Sequence, residues 1–351
     1  MGYHILLFGV PAIGIYALAS HCLLKKPHLL HKPKRFPVRC RHVSHRGGSG
    51  ERIENTLEAF SHALSQGTNL LEIDCLMTRD GVVVVSHDDN LERQTGHNIE
   101  ISKTDYVDLP PYKDSLEVTF SPGCFSHGND HRIPRLEEVF QKFPGVPINI
   151  EIKQDNDELI YKVADLVRQY ERSHISIWAS FEGGVLKKCC AANTEMPYIF
   201  SLKRGILILL LYYVGLLPFL PLKESKEGLG LYSCLVNLFH LAYSFSNRVT
   251  MRKKLFKHLE DRGIQILLWV LNEDKDFEEA FSYGATGVMT DYPTRLRKYL
   301  DTHPPLAKRE SFNIRMPVTE SEGNKSNSYL HFVRGKILYG LKLCNIKHYC
   351  Y

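Results

Sequence analysis

SHRGGSGERIENTLEAF, residues Ser44 to Phe60, carries the handover that decides the fold. The extended run Arg41 to His45 ends in a histidine and an arginine. Two glycines follow, and a helical pattern opens over Asn55 to Gln66 until Gly67 stops it. A strand that turns at once into a helix is the first half of a βα unit. The alternation then recurs along the chain. Asn69 to Met77 reads as a strand with alternating side chains, and Val82 to Val85, β-branched throughout, reads as a third strand buried on both faces. After a polar insertion from Asp89 to Ile133 and a helix over Leu136 to Phe143, PINIEIK supplies the fourth strand. Helices over Asp157 to Tyr170 and Glu182 to Ala192 separate strands at Ile175 to Ser180 and Tyr198 to Leu202. A helix over Met251 to Asp261, a strand in ILLWVLNE, a helix over Phe277 to Tyr283 and a strand in GATGVMTDYP complete the series.

Eight strands alternating with helices predict a closed (β/α)8 TIM barrel, with an open doubly wound sheet as the competing architecture. The 351 residues accommodate one barrel of ~250 residues with terminal extensions. A barrel also predicts that chemistry collects where strands end.

The net charge of +5 is unevenly spread. Eight basic and no acidic residues precede Glu51. From Glu51 to Asp301 there are 28 basic and 36 acidic residues, and from Thr302 onward eight basic and three acidic. An acidic central domain argues against nucleic acid as a partner, whereas basic ends beside apolar segments suit an anionic membrane surface. The nine cysteines have no zinc-site or thioredoxin-type spacing, so free thiols in a reducing compartment are expected.

Ile5 to Leu24 is apolar and long enough to cross ~30 Å of hydrocarbon. Its charges follow rather than precede it, at Lys25, Lys26, Lys32, Lys34, Arg35, Arg39 and Arg41, which favours an uncleaved anchor over a signal peptide. The same flank predicts a cytosolic catalytic domain, and the endoplasmic reticulum or perinuclear membrane is the expected location, which the flank itself does not specify. A second apolar run, Gly205 to Leu222, is open to two readings, a buried core helix or a loop that dips into the bilayer without crossing. As a loop following the sixth strand it would emerge at the catalytic end and shelter an acyl chain. The expected organisation is an anchor over 1–26, a basic linker over 27–39, a barrel over 40–301 with an apolar insertion at 205–222, and a poorly ordered tail over 302–351.

Candidate chemistry gathers at the predicted strand ends. His45 and Arg46 close the first strand, Glu72 and Asp74 lie two apart on the second, His87 and Asp88 close the third, and Glu151 and Lys153 lie two apart on the fourth. Side chains two apart on a strand share a face. Clustered carboxylates need a cation among them, and an all-oxygen set suits Mg²⁺ or Ca²⁺. Gly47 and Gly48 permit a tight turn with N–H groups toward an anion, and Arg46 offers a fork matched to phosphate. His45 and His87 titrate near neutrality, as acid–base chemistry requires. The set predicts metal-assisted phosphoryl transfer. Trp269 reads equally as core, His42 and His62 as surface residues, Glu54 and Asn55 as the start of a helix, and Asp291 as the cap of the last one.

HRGG followed in order by ENT, LEID, VSHD, NIEIK and TDYP resembles the glycerophosphodiester phosphodiesterase family from about His42 to Leu300. The apolar start and the GLLPFLP run resemble its membrane-associated branch, which acts as lysophospholipase D. The resemblance implies His45 and His87 as the acid–base pair, and Glu72, Asp74 and Glu151 as ligands of one divalent cation, with His87 a possible fourth. It also implies Arg46 and Lys153 on the phosphate and Trp269 beside the glycerol. In that family's chemistry a free glycerol hydroxyl attacks phosphorus, so lysophospholipids are the expected substrates, with no protein partner. Glycerophosphocholine hydrolysis and a catalytically inactive membrane scaffold are the rival functions.

Overall fold

The computed structural model describes residues 8–33, 36–222, 232–233 and 247–304. The tail from residue 305 on, including the weakly amphipathic stretch Tyr329 to Ile346, lies outside them, as do Ile5 to Leu7 of the expected anchor.

Among the described residues, ten strands occur in chain order: β1 (His42–Ser44), β2 (Leu70–Met77), β3 (Val83–Val85), β4 (Ser115–Glu117), β5 (Phe125–His127), β6 (Ile148–Ile152), β7 (Ser176–Ala179), β8 (Tyr232–Ser233), β9 (Gln265–Leu268) and β10 (Gly287–Thr290). Parallel pairing runs β7-β6-β2-β1-β10-β9-β8. Inward side chains Val43, Leu70, Ile177, Leu267 and Met289 form one cluster, closed below by Phe36 and Cys40. The sheet therefore curls until β7 and β9 share an interior, which is the TIM-barrel-like arrangement. Larger apolar surfaces fill the space between the sheet and its outer helices, where Phe60, Phe140, Val163, Leu186, Leu255 and Phe277 are buried.

Three strand expectations need correction. β3 pairs antiparallel with β2, Cys75 opposite Val85, and is no barrel strand. Only Thr78 to Val82 separate the two, far too few residues for a parallel crossover, which takes a dozen or more. Tyr198 to Leu202 contributes a single parallel bridge, Tyr198 with Trp178. Tyr232–Ser233, which no sequence signal marked, joins the sheet beside β9.

The apolar run is neither a loop nor wholly buried. Leu202–Tyr213 is a helix on the outside of the barrel. Gly205, Ile208 and Leu209 face the core at helical spacing, while Ile206, Leu207 and Leu210 remain exposed. Its first turn leaves the catalytic end of the strands. Its last residues reach the opposite end, where the Leu217 and Leu220 carbonyls accept from Arg262, three residues before β9. Beyond its first turn the run therefore leads away from the catalytic end.

The helix Val10–Lys25 has 16 residues, ~24 Å at 1.5 Å per residue, and no described helix is long and apolar enough to cross a membrane. It lies against the barrel. Tyr16 Oη donates to the Val214 carbonyl at 2.5 Å, Ser20 Oγ to the Gly215 carbonyl at 2.7 Å, and the His258 ring meets the Leu24 carbonyl at 2.9 Å. His42, expected at the surface, is instead the buried first residue of β1, and burial drives its ring down to about 3, so it stays neutral.

Gly287 opens β10 directly against the backbone of Cys40, and a Cβ there would come within 1.7 Å of the Cys40 carbonyl oxygen. Gly287→Ala should therefore force β1 and β10 apart and cost about 3 kcal/mol, read as a lowered melting temperature in calorimetry.

Candidate active site

Register brings the acidic side chains together. Asp74 on β2 and Glu151 on β6 are direct partners, and Glu72 lies two residues before Asp74 on the same face. One carboxylate oxygen from each of Glu72, Asp74 and Glu151 lies within 4.8 Å of the others, and this is the metal-compatible group among the described residues. Burial raises the Glu72 carboxyl well above the usual range, and the charges of Asp74 and Glu151 raise it further. Such repulsion is what a divalent cation relieves, and an all-oxygen donor set fits one. His87 is not a member of the group. Its Nε2 lies 3.1 Å from the Lys153 ammonium instead.

Two cations flank the carboxylates. Lys153 Nζ sits 3.2 Å from Glu151 and 3.6 Å from Asp74. Arg46 Nε is 3.5 Å from Asp74 and has no hydrogen-bond partner, while the Arg46 backbone N–H donates to Glu72 at 2.8 Å. Burial works against the charge on Asp74, but Arg46 and Lys153 together hold its carboxyl below the ordinary range.

The turn after β1 explains the glycine pair. Arg46, Gly47 and Gly48 all have positive φ, at 50°, 79° and 93°. A Cβ on Gly47 would strike the Phe60 ring at 2.6 Å, and one on Gly48 the Pro293 ring at 2.7 Å. The Gly48 N–H closes the turn onto the His45 carbonyl at 2.8 Å rather than pointing at an anion. The glycines are thus required for a left-handed, tightly packed bend that aims His45 and Arg46 inward.

Each histidine has its own aspartate. His45 Nδ1 meets Asp291 Oδ1 at 2.7 Å, and His87 Nδ1 meets Asp88. With Nδ1 engaged, Nε2 is the nitrogen that each ring can use for proton transfer, and on His87 that nitrogen already meets the Lys153 ammonium. Asp291 is held by Ser49 at 2.5 Å and by the Asn272 amide at 2.9 Å. Burial alone would raise the Asp291 carboxyl, yet His45, Ser49 and Asn272 hold it below the usual carboxylate range. Burial pulls the His45 ring down, and Asp291 opposes that pull. Asp291 therefore orients His45 and caps nothing, since the last helix, Pro293–Thr302, has no side-chain cap.

Glu54 and Asn55 also do more than start a helix, whose N-cap is Thr56. Asn55, with φ of 58°, donates from Nδ2 to Asp74 at 3.0 Å. Glu54 is buried and accepts from Arg93 at 2.6 Å, from Gln94 at 2.9 Å and from Arg46 at 3.3 Å. Despite the cost of burial, Arg46 and Arg93 hold its carboxyl at about 2. Arg93 also donates to Asp88, so an ionic chain, buried at Arg46 and Glu54 and half-buried beyond them, joins Arg46 to His87 through the insertion.

Trp269 belongs to an aromatic wall. Its ring centroid is 6.2 Å from His45, 6.2 Å from Phe120 and 5.6 Å from Phe181. Phe120 comes from the polar insertion, which has its own core of Ile53, Leu76, Val84, Ile101 and Leu116. Neither Phe120 nor Phe181 carried a sequence signal. The ion pair of Arg93 with Glu54 was equally unmarked.

A carboxylate cluster at strand ends, flanked by two aspartate-oriented histidines and two cations, defines a divalent-metal phosphodiesterase site on a TIM-barrel-like fold. The chain matches the Glycerophosphoryl diester phosphodiesterase family over residues 45–295. Human lysophospholipase D GDPD3 is 51% identical over 314 residues, covering 87% of this chain and 98% of that protein. Human lysophospholipase D GDPD1 is 47% identical over 297 residues, covering 82% and 95%. The glycerophosphoryl diester phosphodiesterase domain of a Mycobacterium tuberculosis protein has the same fold at a TM-score of 0.59 and 16% identity, covering 74% of this chain and 98% of that one. The chain belongs to the glycerophosphodiester phosphodiesterase family.

Two outcomes follow from this geometry. Asp291→Asn should lower kcat by ~10²- to 10⁴-fold. Because Asp291 lifts the His45 ring, its loss should also move the limb of the pH–rate profile set by His45 to lower pH. His87→Ala should lose a similar factor in rate yet keep the Mn²⁺ affinity of the wild type in electron paramagnetic resonance, whereas Asp74→Ala should lose both.

Proposed function

We propose that this protein is a metal-dependent lysophospholipase D, releasing the head-group alcohol of lysophosphatidylcholine, lysophosphatidylethanolamine or N-acyl lysophosphatidylethanolamine and leaving lysophosphatidate. The observation that carries the reading is the pair of aspartate-oriented histidines on either side of one three-carboxylate cluster. It is supported by near full-length relatives that are named lysophospholipase D.

Glu72, Asp74 and Glu151 hold the cation, Mg²⁺ or Ca²⁺ by its oxygen donors. The bound ion supplies charge compensation for the phosphoryl group and acidifies a neighbouring hydroxyl. One histidine takes the proton of the free glycerol hydroxyl at Nε2 as that oxygen attacks phosphorus. The other donates from Nε2 to the departing head-group oxygen. Water then opens the cyclic phosphate with the two roles exchanged. Lys153 and Arg46 bring positive charge toward the phosphate oxygens, and the Trp269 wall excludes water on the His45 side.

In this reading the sheet closes between the Tyr198 bridge and β8, filling eight parallel positions. The helix Val10–Lys25, with its outward Val10, Ile13 and Leu18, attaches the protein to the bilayer that carries its substrate.

Mass spectrometry of products from lysophosphatidylcholine, glycerophosphocholine and diacyl phosphatidylcholine tests the assignment. Lysophosphatidylcholine should be turned over and chelator should abolish that turnover. Diacyl lipid should be inert because its attacking hydroxyl is esterified. Preference for glycerophosphocholine would reassign the enzyme to water-soluble diesters, and diacyl turnover would refute the attack by a glycerol hydroxyl.

A further inference from the structure

Away from the catalytic end, a cleft of about 780 Å³ opens between the N-terminal helix and the barrel. His21 and Leu24 of the helix Val10–Lys25 form one wall, and Arg252, Lys253 and Lys254 stand on the other beside Tyr213. No carboxylate lines it among the described residues. The arginine is held in place. Its Nε donates to Tyr213 Oη at 2.8 Å, its guanidinium lies 5.7 Å from the centre of that ring, and Tyr213 Oη donates in turn to the Val249 carbonyl at 2.6 Å. Lys253 is poised 5.6 Å above the ring of Tyr283.

Two of the helices that contribute to this cleft also leave large apolar side chains exposed among the described residues. Ile13 and Leu18 on the N-terminal helix are about two-thirds exposed, at 68% and 66%, and Leu210 on the helix Leu202–Tyr213 is 58% exposed. Three adjacent cations in a cleft, on a surface whose neighbouring helices also expose leucine and isoleucine, match the two chemistries of an anionic phospholipid, a charged head group above apolar chains. The volume lies within the range of small-ligand sites. A soluble phosphate would account for the cations and leave the apolar borders unexplained.

We infer that this cleft seats the head group of an anionic phospholipid of the bilayer, while the outer faces of the two helices rest among the acyl chains. The inference rests on the membrane attachment proposed above. It makes the N-terminal helix one wall of a lipid site rather than a free tether, and it places that site apart from the one that hydrolyses substrate. The barrel is then oriented on anionic regions of the membrane by a lipid that it does not cleave.

Flotation of the full-length protein with vesicles of phosphatidylcholine, alone or doped with phosphatidylserine, tests this. A Lys or Arg near an anionic surface adds roughly fivefold in affinity, so the wild type should bind the doped vesicles on the order of a hundredfold more tightly at low salt. R252Q/K253Q/K254Q should lose that increment, keep its binding to phosphatidylcholine vesicles and keep its melting temperature. K253Q/K254Q, which spares the Arg252–Tyr213 contact, should lose most of it. L207S/L210S should weaken binding to both vesicles. Excess inorganic phosphate should not compete. An anionic increment that survives in both cation variants overturns the inference, as does full competition by phosphate, which would mark a soluble-anion site. Binding to both vesicles without preference also overturns it and leaves the attachment standing, whereas binding to neither refutes the attachment itself.

Discussion

Three carboxylates on two neighbouring strands, drawn within 4.8 Å of one another, set the terms for everything around them. In water such groups would repel weakly. Buried at the end of a barrel they repel strongly, and the chain counters them with two cations, Lys153 and Arg46. Among the described residues Lys153 forms ion pairs with Asp74 and Glu151 alone, but Arg46 is not free to serve only the cluster. Arg46 shares itself with Glu54, and Glu54 in turn is shared with Arg93. Three anions answered by less than two full positive charges leave an excess that suits a divalent cation, and that excess is the electrostatic basis of the site's chemistry.

The histidines depend on the same economy of buried charge. A ring buried to the extent of His45 would lose its affinity for a proton, and Asp291 restores part of it. Asp291 in turn remains ionised because Ser49 and Asn272 share its charge. On the other side Asp88 is both the partner of His87 and the acceptor for Arg93, so the orientation of His87 is tied to the insertion that carries Arg93. The segment from Asp89 to Ile133 is thus not an appendage. It brings Phe120, Thr119 and Arg93 over the strand ends, and its separate apolar core holds them there.

The outer helix Leu202–Tyr213 shows how one segment can satisfy two environments. Its inward residues bury themselves in the barrel as any βα unit requires, while outward Ile206, Leu207 and Leu210 are apolar as well and are left exposed among the described residues. The N-terminal helix crosses the loop that follows it, using Tyr16 and Ser20 to occupy the carbonyls of Val214 and Gly215. Two segments 195 residues apart in the chain therefore act as one structural unit.

Much of this was legible in the residues. Most of the helices and strands, and the shared faces of Glu72 with Asp74 and of Glu151 with Lys153, follow from the two-residue period of a strand and from local turn chemistry, whereas the direct pairing of β2 with β6 does not, because Val82 to Val85 reads as a strand between them. The antiparallel β3 was also within reach, because five intervening residues cannot make a crossover, but its valine run outweighed its short connection. The partners of the site were not legible. Asp291 stands 246 residues from His45, Glu54 meets Arg93 across 39, and Phe120 meets Trp269 only because an insertion folds back over the strand ends. Local sequence determined which side chains face the end of the barrel, since periodicity is a property of the backbone. Only the tertiary structure decided which of them share a proton or a charge, since ionic and hydrogen-bonded contacts fall off within a few ångströms and depend on where distant segments are brought to rest.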